Sequence, residues 1–288
     1  MYKVGIIGAE SYHSEQFAKL INEKKLIDAK VTHLWAEPNQ QERAEYIKNT
    51  YGIETLCESY EEMIGKVDVA FIVTRNGANH FEQAKPFMDA NIPLWIDKPI
   101  ALNSEDVNRL CEYADKHGAK LLGGSTLKDS AEMEELKNKL STFETLGYFS
   151  LSYCSSVGNP NGGISFYSIH LTELAYYLFG VDNLESLSVN CNDKTVVALF
   201  NYRGGLTLSL AMASGAYQLT YAAAGCNEYA AGCMTCSDCY SSALEHVVEV
   251  IEGKRSALTK EEFTIPVKLM ELVEEASETP GKIIYYNK

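Results

Sequence analysis

The sequence predicts an α/β fold: a doubly wound parallel sheet over residues 1–123, then an α+β domain over residues 124–288 with a mostly antiparallel open sheet. Three observations predict it. Apolar runs of strand length alternate with helical patterns through the first part, the signature of βαβ units. Beyond residue 145 strands follow one another and helices are grouped apart from them, as in an α+β domain. A chain of 288 residues also exceeds one ordinary domain and suits two, each burying its own core.

Taken in order, Val4–Ile7 is an apolar run closed by Gly8, consistent with a buried parallel strand. Ser14–Asn22 carries Phe17, Leu20 and Ile21 at helical spacing. Val31–Ala36 reads as a second strand, Glu42–Thr50 as a second helix, Glu61–Gly65 as a short helix and Val67–Thr74 as a third strand. Phe81–Ala90 is helical and Pro93–Ile96 extended. Ser104 is a natural N-cap for a helix to His117, which Gly118 ends. Lys120–Gly123 is a fifth strand. In the second part, Gly147–Val157, Leu184–Asn192, Thr195–Tyr202, Leu206–Ala213 and Gln218–Ala224 read as antiparallel strands. Arg203-Gly204-Gly205 is a hairpin turn between two of them. Helices are expected over Ile164–Phe179, Ser241–Glu252 and Lys260–Ser277.

The net charge of −14 is spread along the chain without acidic blocks. It supplies no basic face, so neither nucleic acid nor an anionic membrane is an expected partner. No stretch approaches the roughly 20 apolar residues of a transmembrane helix. The chain enters a strand at Tyr2 with no leader-like segment before it; the expectation is a cytoplasmic protein whose eight cysteines are reduced.

Chemistry-bearing residues gather after the strands of the first part, the edge where open parallel sheets place their ligands. Gly8-Ala9-Glu10-Ser11-Tyr12-His13 stands where a dinucleotide fold puts its Gly-x-Gly-x-x-Gly turn, but only the first glycine is present. The following helix start still offers N–H groups to a phosphate. The motif reads equally as a modified dinucleotide turn or a plain βα loop. Glu37 ends the second strand, where an acid can accept ribose hydroxyls and would repel a 2′-phosphate, favouring NAD over NADP. It reads equally as a solvated glutamate before Pro38. Thr74, Arg75, Asn76 and His80 share one loop, a polar cluster suited to ribose and nicotinamide or an ordinary helix lead-in with Asn79 as cap. Asp97-Lys98-Pro99 follows the fourth main strand, and proline there restricts how the ammonium is presented.

In the second part, Gly162 and Gly163 precede a helix that carries His170, a candidate general acid/base that is equally a core histidine. Cys233, Cys236 and Cys239 recur at ligand spacing with Cys226 before them. The pattern completes no zinc or iron–sulfur motif, so free or redox-active loop thiols are expected and no metal. Cys57, Cys111, Cys154 and Cys191 sit in apolar surroundings and read as structural.

Together these motifs resemble the glucose–fructose oxidoreductase / inositol dehydrogenase (Gfo/Idh/MocA) family over nearly the whole chain. Its opening turn is similar to Val4–His13, its ribose acid to Glu37, and its T-P-N-x-x-H loop to Thr74, Arg75, Asn76 and His80, with arginine for proline. Its E-K-P motif falls on Asp97-Lys98-Pro99, its link to the second domain on Gly123-Gly124-Ser125, and its G-G-x-x-x-D-x-G-x-H helix start on Gly162 to His170. The resemblance implies a Rossmann domain, a second domain whose open sheet forms a homodimer or homotetramer, and NAD(P)-dependent chemistry on a small polyol, sugar or related compound. Lys98 then polarises the reacting oxygen and His170 takes or returns its proton. The implied cofactor residues are Gly8, Glu10, Ser11, Tyr12, His13, Glu37, Thr74, Arg75, Asn76, His80, Asp97 and Lys98. Phe166 replaces the family's aspartate four residues before the histidine. That departure, with Glu10 and His13, keeps open a sensor or scaffold that has lost the chemistry; the cysteine cluster keeps open a metal- or redox-responsive protein acting through Cys226–Cys239.

Overall fold

The computed structural model describes residues 1–155 and 163–286, which divide into two compact units. The first comprises Met1–Thr126 and Tyr240–Thr264, the second Leu127–Cys239 and Ile265–Lys288.

The first unit holds strands β1 (Tyr2–Ile7), β2 (Ala29–Trp35), β3 (Thr55–Leu56), β4 (Val69–Ile72), β5 (Leu94–Asp97) and β6 (Leu121–Gly124), in the spatial order β3-β2-β1-β4-β5-β6. Every pairing is parallel. This is the doubly wound order that binds nucleotides where strand order reverses, next to β1 and β4. The helices are α1 (Tyr12–Ala18), α2 (Gln41–Tyr51), α3 (His80–Asp89) and α4 (Ser104–His117).

Phe17, Ala18 and Ile21, with Ala44 and Ile47 of α2, close one core over Val4, Ile6, Val31, Leu34, Phe71 and Trp95. A helix from far along the chain, Cys239–Ile251, adds Ala243, Leu244, Val247 and Val250 to that same core. Its apolar residues fall on one helical face, a pattern that does not reveal which sheet the face covers.

Details differ from the sequence reading at the ends of elements. α1 stops at Ala18 and a π turn over Lys19–Glu23 completes the expected helix. The cap of α4 is Asn103 rather than Ser104: its backbone is extended and its side chain accepts the Asp106 N–H. Gly118 ends α4 in the left-handed conformation, as expected.

The second unit holds α5 (Ala131–Ser141), β7 (Leu146–Ser155), α6 (Ser165–Phe179), β8 (Leu184–Cys191), β9 (Thr195–Tyr202), β10 (Thr207–Ser214), β11 (Leu219–Gly225) and β12 (Tyr229–Met234). The helix Cys239–Ile251 is α7; α8 (Lys260–Ser277) and β13 (Ile283–Tyr285) complete the chain. Seven strands form one sheet, β12-β11-β7-β10-β9-β8-β13.

It is mostly antiparallel, with one correction: β10 runs parallel to β7. Alternation of buried and exposed residues is identical in either direction, so strand polarity was not visible in the sequence. β3, β12, β13 and α5 were also absent from that reading. Two- and three-residue strands leave no periodic signal, and the Ala-Ala-Gly run of β12 lacks the branched side chains that mark strands. Among the described residues no helix is long and apolar enough to cross a membrane.

Candidate functional site

The carboxyl edge of the first sheet is built from three loops. After β1, Gly8 adopts φ +110°, and a Cβ there would lie 2.8 Å from the Thr74 amide nitrogen. Only glycine lets the β1 and β4 loops approach so closely. Ser11, which is buried, caps α1 by accepting the His13 N–H at 3.1 Å. Tyr12 is exposed. Glu10 turns its carboxylate to the neighbouring loop, where Oε1 accepts the Arg75 N–H at 2.8 Å. Its other oxygen, Oε2, is buried with no hydrogen-bond partner. Where the dinucleotide motif has its second glycine, this chain therefore carries a brace between strand ends.

His13 is the second brace. Its Nδ1 stands 2.6 Å from Asp97 Oδ2 at the end of β5, and its ring meets Tyr240 edge-on at 5.2 Å. Asp97 is buried. Burial opposes its charge, yet the His13 and Lys98 cations outweigh burial and hold the carboxyl below its ordinary value. Lys98 is only 6% exposed, and the Lys98–Pro99 peptide is cis.

The β4 loop is locked to the β5 loop. A Cβ on Gly77 would lie 2.7 Å from the Pro99 carbonyl oxygen. His80 is fully buried, with Nε2 2.9 Å from the Thr74 oxygen and Nδ1 3.1 Å from the Ile100 oxygen. Burial draws its pKa down, against those carbonyls and the Asp97 charge. Both ring nitrogens thus serve the backbone, a use that the polar-cluster reading did not foresee. Thr74 donates its hydroxyl to Gln83 Oε1 at 2.8 Å. Asn76 caps the turn after it by accepting the Ala78 N–H, while Asn79, expected as the cap of α3, makes no side-chain cap bond. Arg75 is exposed, and Glu37 lies half-buried just past β2.

A dinucleotide fits this edge in two respects: the glycine cradle at Gly8 and an acid after β2. The Glu10 carboxylate opposes a phosphate there.

In the second unit, His170 lies on α6 at 7% exposure. The ring of Tyr153, from β7, meets it edge-on at 5.7 Å. Burial pushes the Tyr153 hydroxyl up, and the thiols of Cys154, Cys239 and Cys236 add to the effect. Phe166 is buried and packs its ring edge on Tyr167 at 4.9 Å, so the family's aspartate position is core here. One turn beyond His170, Glu173 is buried in an ion pair with Lys128, Nζ to Oε2 3.0 Å. The sequence reading missed this pair; the available signal was an acid three residues after the histidine, on the same helical face. Gly162, part of the expected helix start, lies outside the described residues.

The cysteines divide differently from expectation. Cys191 is exposed, not structural, whereas Cys236, in the loop between β12 and α7, and Cys239, at the start of α7, are both buried. Glu132 fastens that segment by accepting the Thr235 and Cys236 N–H groups at 2.7 and 2.9 Å. Among the described residues no group of three or more His, Cys, Asp or Glu side chains could hold a metal ion.

Residues 2–125 match the GFO_IDH_MocA family, described as an oxidoreductase family with an NAD-binding Rossmann fold. Solved structures resemble the whole chain. A myo-inositol 2-dehydrogenase from Lactobacillus plantarum is 18% identical, with 99% of each chain covered and a TM-score of 0.84. A myo-inositol dehydrogenase from Lactobacillus casei, in complex with NAD(H) and myo-inositol, is 14% identical over 100% of this chain and 97% of its own, at a TM-score of 0.83. A myo-inositol dehydrogenase from Corynebacterium glutamicum is 16% identical over 100% and 99%, also at 0.83. At such identities the likeness is one of fold.

Proposed function

Residues 2–125 match the Gfo/Idh/MocA oxidoreductase family with its NAD-binding Rossmann fold; from that premise we propose that the chain moves hydride between nicotinamide and a small polyol, sugar or related hydroxy or carbonyl compound. The observation that carries this reading is Lys98. It is 6% exposed and directly follows β5, on the same sheet edge as the Gly8 turn and the Thr74 loop, where parallel sheets hold ligands. Inositol dehydrogenases among the similar structures support a polyol as substrate class.

In the proposed reaction NAD, when bound, supplies the centre that accepts or returns hydride. As a hydroxyl becomes a carbonyl, His170 takes its proton, and Lys98 steadies the negative charge that gathers on the oxygen. Gly8, Ser11, Tyr12, Thr74, Arg75, Asn76 and Asp97 are proposed to shape the cofactor side, with Glu10, His13 and His80 bracing it. Glu37 supports NAD over NADP, since its carboxylate would repel a 2′-phosphate. A cytoplasmic homodimer or homotetramer joined through the second unit's sheet completes the proposal.

The test is a titration with NADH and NADPH followed by nicotinamide fluorescence, then turnover on a panel of cyclic and linear polyols. Saturable NADH binding, tighter than NADPH, and NAD reduction with at least one polyol are expected. An absence of binding at millimolar cofactor removes the reading.

One observation favours a second reading, a sensor or scaffold without chemistry: Glu10 and Phe166 stand where the family's glycine and aspartate would serve cofactor and substrate. Lys98→Ala separates the two, because a scaffold keeps its cellular role without that ammonium.

A further inference from the structure

The proposed function asks His170 to hold one ring orientation while a proton moves. Four residues earlier on the same helical face, where the family resemblance sets an aspartate, stands Phe166. It is 2% exposed and packs on the Tyr167 ring. The sheet brings a ring to His170 instead. β7 lies between β11 and β10, paired on both sides, and its Phe149, Leu151, Tyr153 and Ser155 share one face by alternation. α6 runs antiparallel along that face. Phe149 meets Phe179 edge-on at 5.0 Å, Tyr153 meets His170 at 5.7 Å with ring planes 85° apart, and Ser168 donates to Ser155 Oγ at 3.1 Å. From Phe149 to Tyr153 is four residues of strand and from His170 to Phe179 nine of helix; either span comes to about 13 Å. The Tyr153–His170 contact therefore falls where the register of helix on strand puts it.

We propose that Tyr153 is a positioning residue for His170: its ring, set edge-on, fixes the plane of the imidazole that takes and returns the substrate proton. An edge-on contact has a preferred geometry, so turning the imidazole sacrifices the contact. Burial pushes the Tyr153 hydroxyl up, and Cys154, Cys239, Cys236 and Tyr167 add to the effect, which leaves the phenol uncharged. Tyr153 thus orients the histidine without placing a charge beside it, whereas a carboxylate at position 166 would do both. Phe166 then marks a change of partner rather than a loss of chemistry. The inference rests on the assignment of His170 as the acid/base.

The test compares Tyr153→Phe, which keeps the ring, with Tyr153→Leu, which removes it. Its first arm uses the full chain without cofactor. In proton–carbon NMR spectra the six histidines give six ring signals, and that of His170 is identified by its loss in His170→Gln. The Tyr153 ring current displaces this signal in wild type and in Tyr153→Phe; in Tyr153→Leu it moves toward the position of a free histidine. The second arm is NAD reduction with a polyol. Tyr153→Leu lowers kcat about tenfold, the upper end of what one aromatic contact supplies, and leaves KM unchanged, while Tyr153→Phe keeps wild-type values. A His170 signal unmoved in a natively folded Tyr153→Leu overturns the proposal. So does a Tyr153→Phe variant as impaired as Tyr153→Leu, because the hydroxyl would then be the working part. Should Tyr153→Leu not fold, Tyr153→Phe still decides: a retained displacement with wild-type kcat upholds the ring, and a lost displacement or lowered kcat overturns it. Absence of turnover in the wild-type chain would strike the oxidoreductase reading, whereas the NMR arm reads the Tyr153–His170 geometry without cofactor.

Discussion

The first unit ties its buried polar groups to one another, whereas the second packs its candidate histidine against the ring of Tyr153. At the edge of the parallel sheet, Glu10 reaches Arg75, His13 reaches Asp97 and His80 reaches Thr74 and Ile100. All but the His80–Thr74 link, which closes the β4 loop on itself, join the ends of different strands. Beside His170, by contrast, the ring of Tyr153 stands edge-on, and an ion pair of Glu173 with Lys128 lies a turn away on the same helix. Charge in the first unit belongs to the architecture of the loops. Substitutions should therefore strike fold and function together in one unit and separately in the other.

Two histidines give the largest contrast. His170→Ala is expected to lower turnover about a thousandfold, the usual contribution of a positioned acid/base, while its thermal midpoint stays close to wild type. His80→Ala leaves the Thr74 and Ile100 carbonyls facing a void and should destabilise the protein by about 3 kcal/mol. Turnover per folded molecule would then decline as the two loops separate. Paired urea titrations and steady-state kinetics check this. A stable, active His80→Ala variant would break the comparison.

Acid titration sharpens it. Burial holds the His80 pKa below 6.5 in the folded protein, so the unfolded chain takes up a proton first as the pH falls. Stability from the neutral imidazole is present above 6.5 and lost as the pH drops from there toward the folded value. Asp97 behaves as a depressed carboxylate: its contribution is present above 3.8 and lost as the pH falls through its lower folded value. Two separate declines are expected in urea midpoints measured against pH. His80→Gln should shrink the decline that begins near 6.5, leaving the part due to His33, whose pKa burial also lowers, and leave the more acidic one.

The same contrast explains what could be read from the residues in advance. Short βα loops carry the first unit's edge, so Gly8, Glu37, Thr74 and Lys98 announced themselves by position after apolar runs. The uses of Glu10, His13 and His80 did not, because Arg75, Asp97 and Ile100 lie at the ends of other strands and sequence spacing does not reveal which backbone or carboxylate group will be near. In the second unit, long-range pairing decides the arrangement. The β7–β10 parallel pair joins residues such as Phe149 and Leu208, and alternation alone carries no polarity. The apolar face of α7 was legible too, but its place in the first unit's core was not, since helical periodicity names no partner.

The smallest expected effect is chemical labelling, which leaves stability and turnover unchanged yet tests the division residue by residue. Thiol alkylation proceeds through the thiolate and needs access. Burial pushes Cys57 up to about 11 and Cys111 up to about 12, both in the first unit. Cys191, Cys226 and Cys233 are exposed, and all three lie in the second. The Cys233 thiol donates to Gln218 Oε1 at 3.0 Å, which should slow it relative to Cys226. Brief iodoacetamide treatment at neutral pH, followed by peptide mass spectrometry, should therefore label Cys191 and Cys226 first and Cys233 next. Cys57 and Cys111 should react only after urea unfolds the chain. Early labelling of Cys57 or Cys111 would show that the first unit's core opens under native conditions, and the picture of a first unit held closed by its braced edge would fail at its foundation.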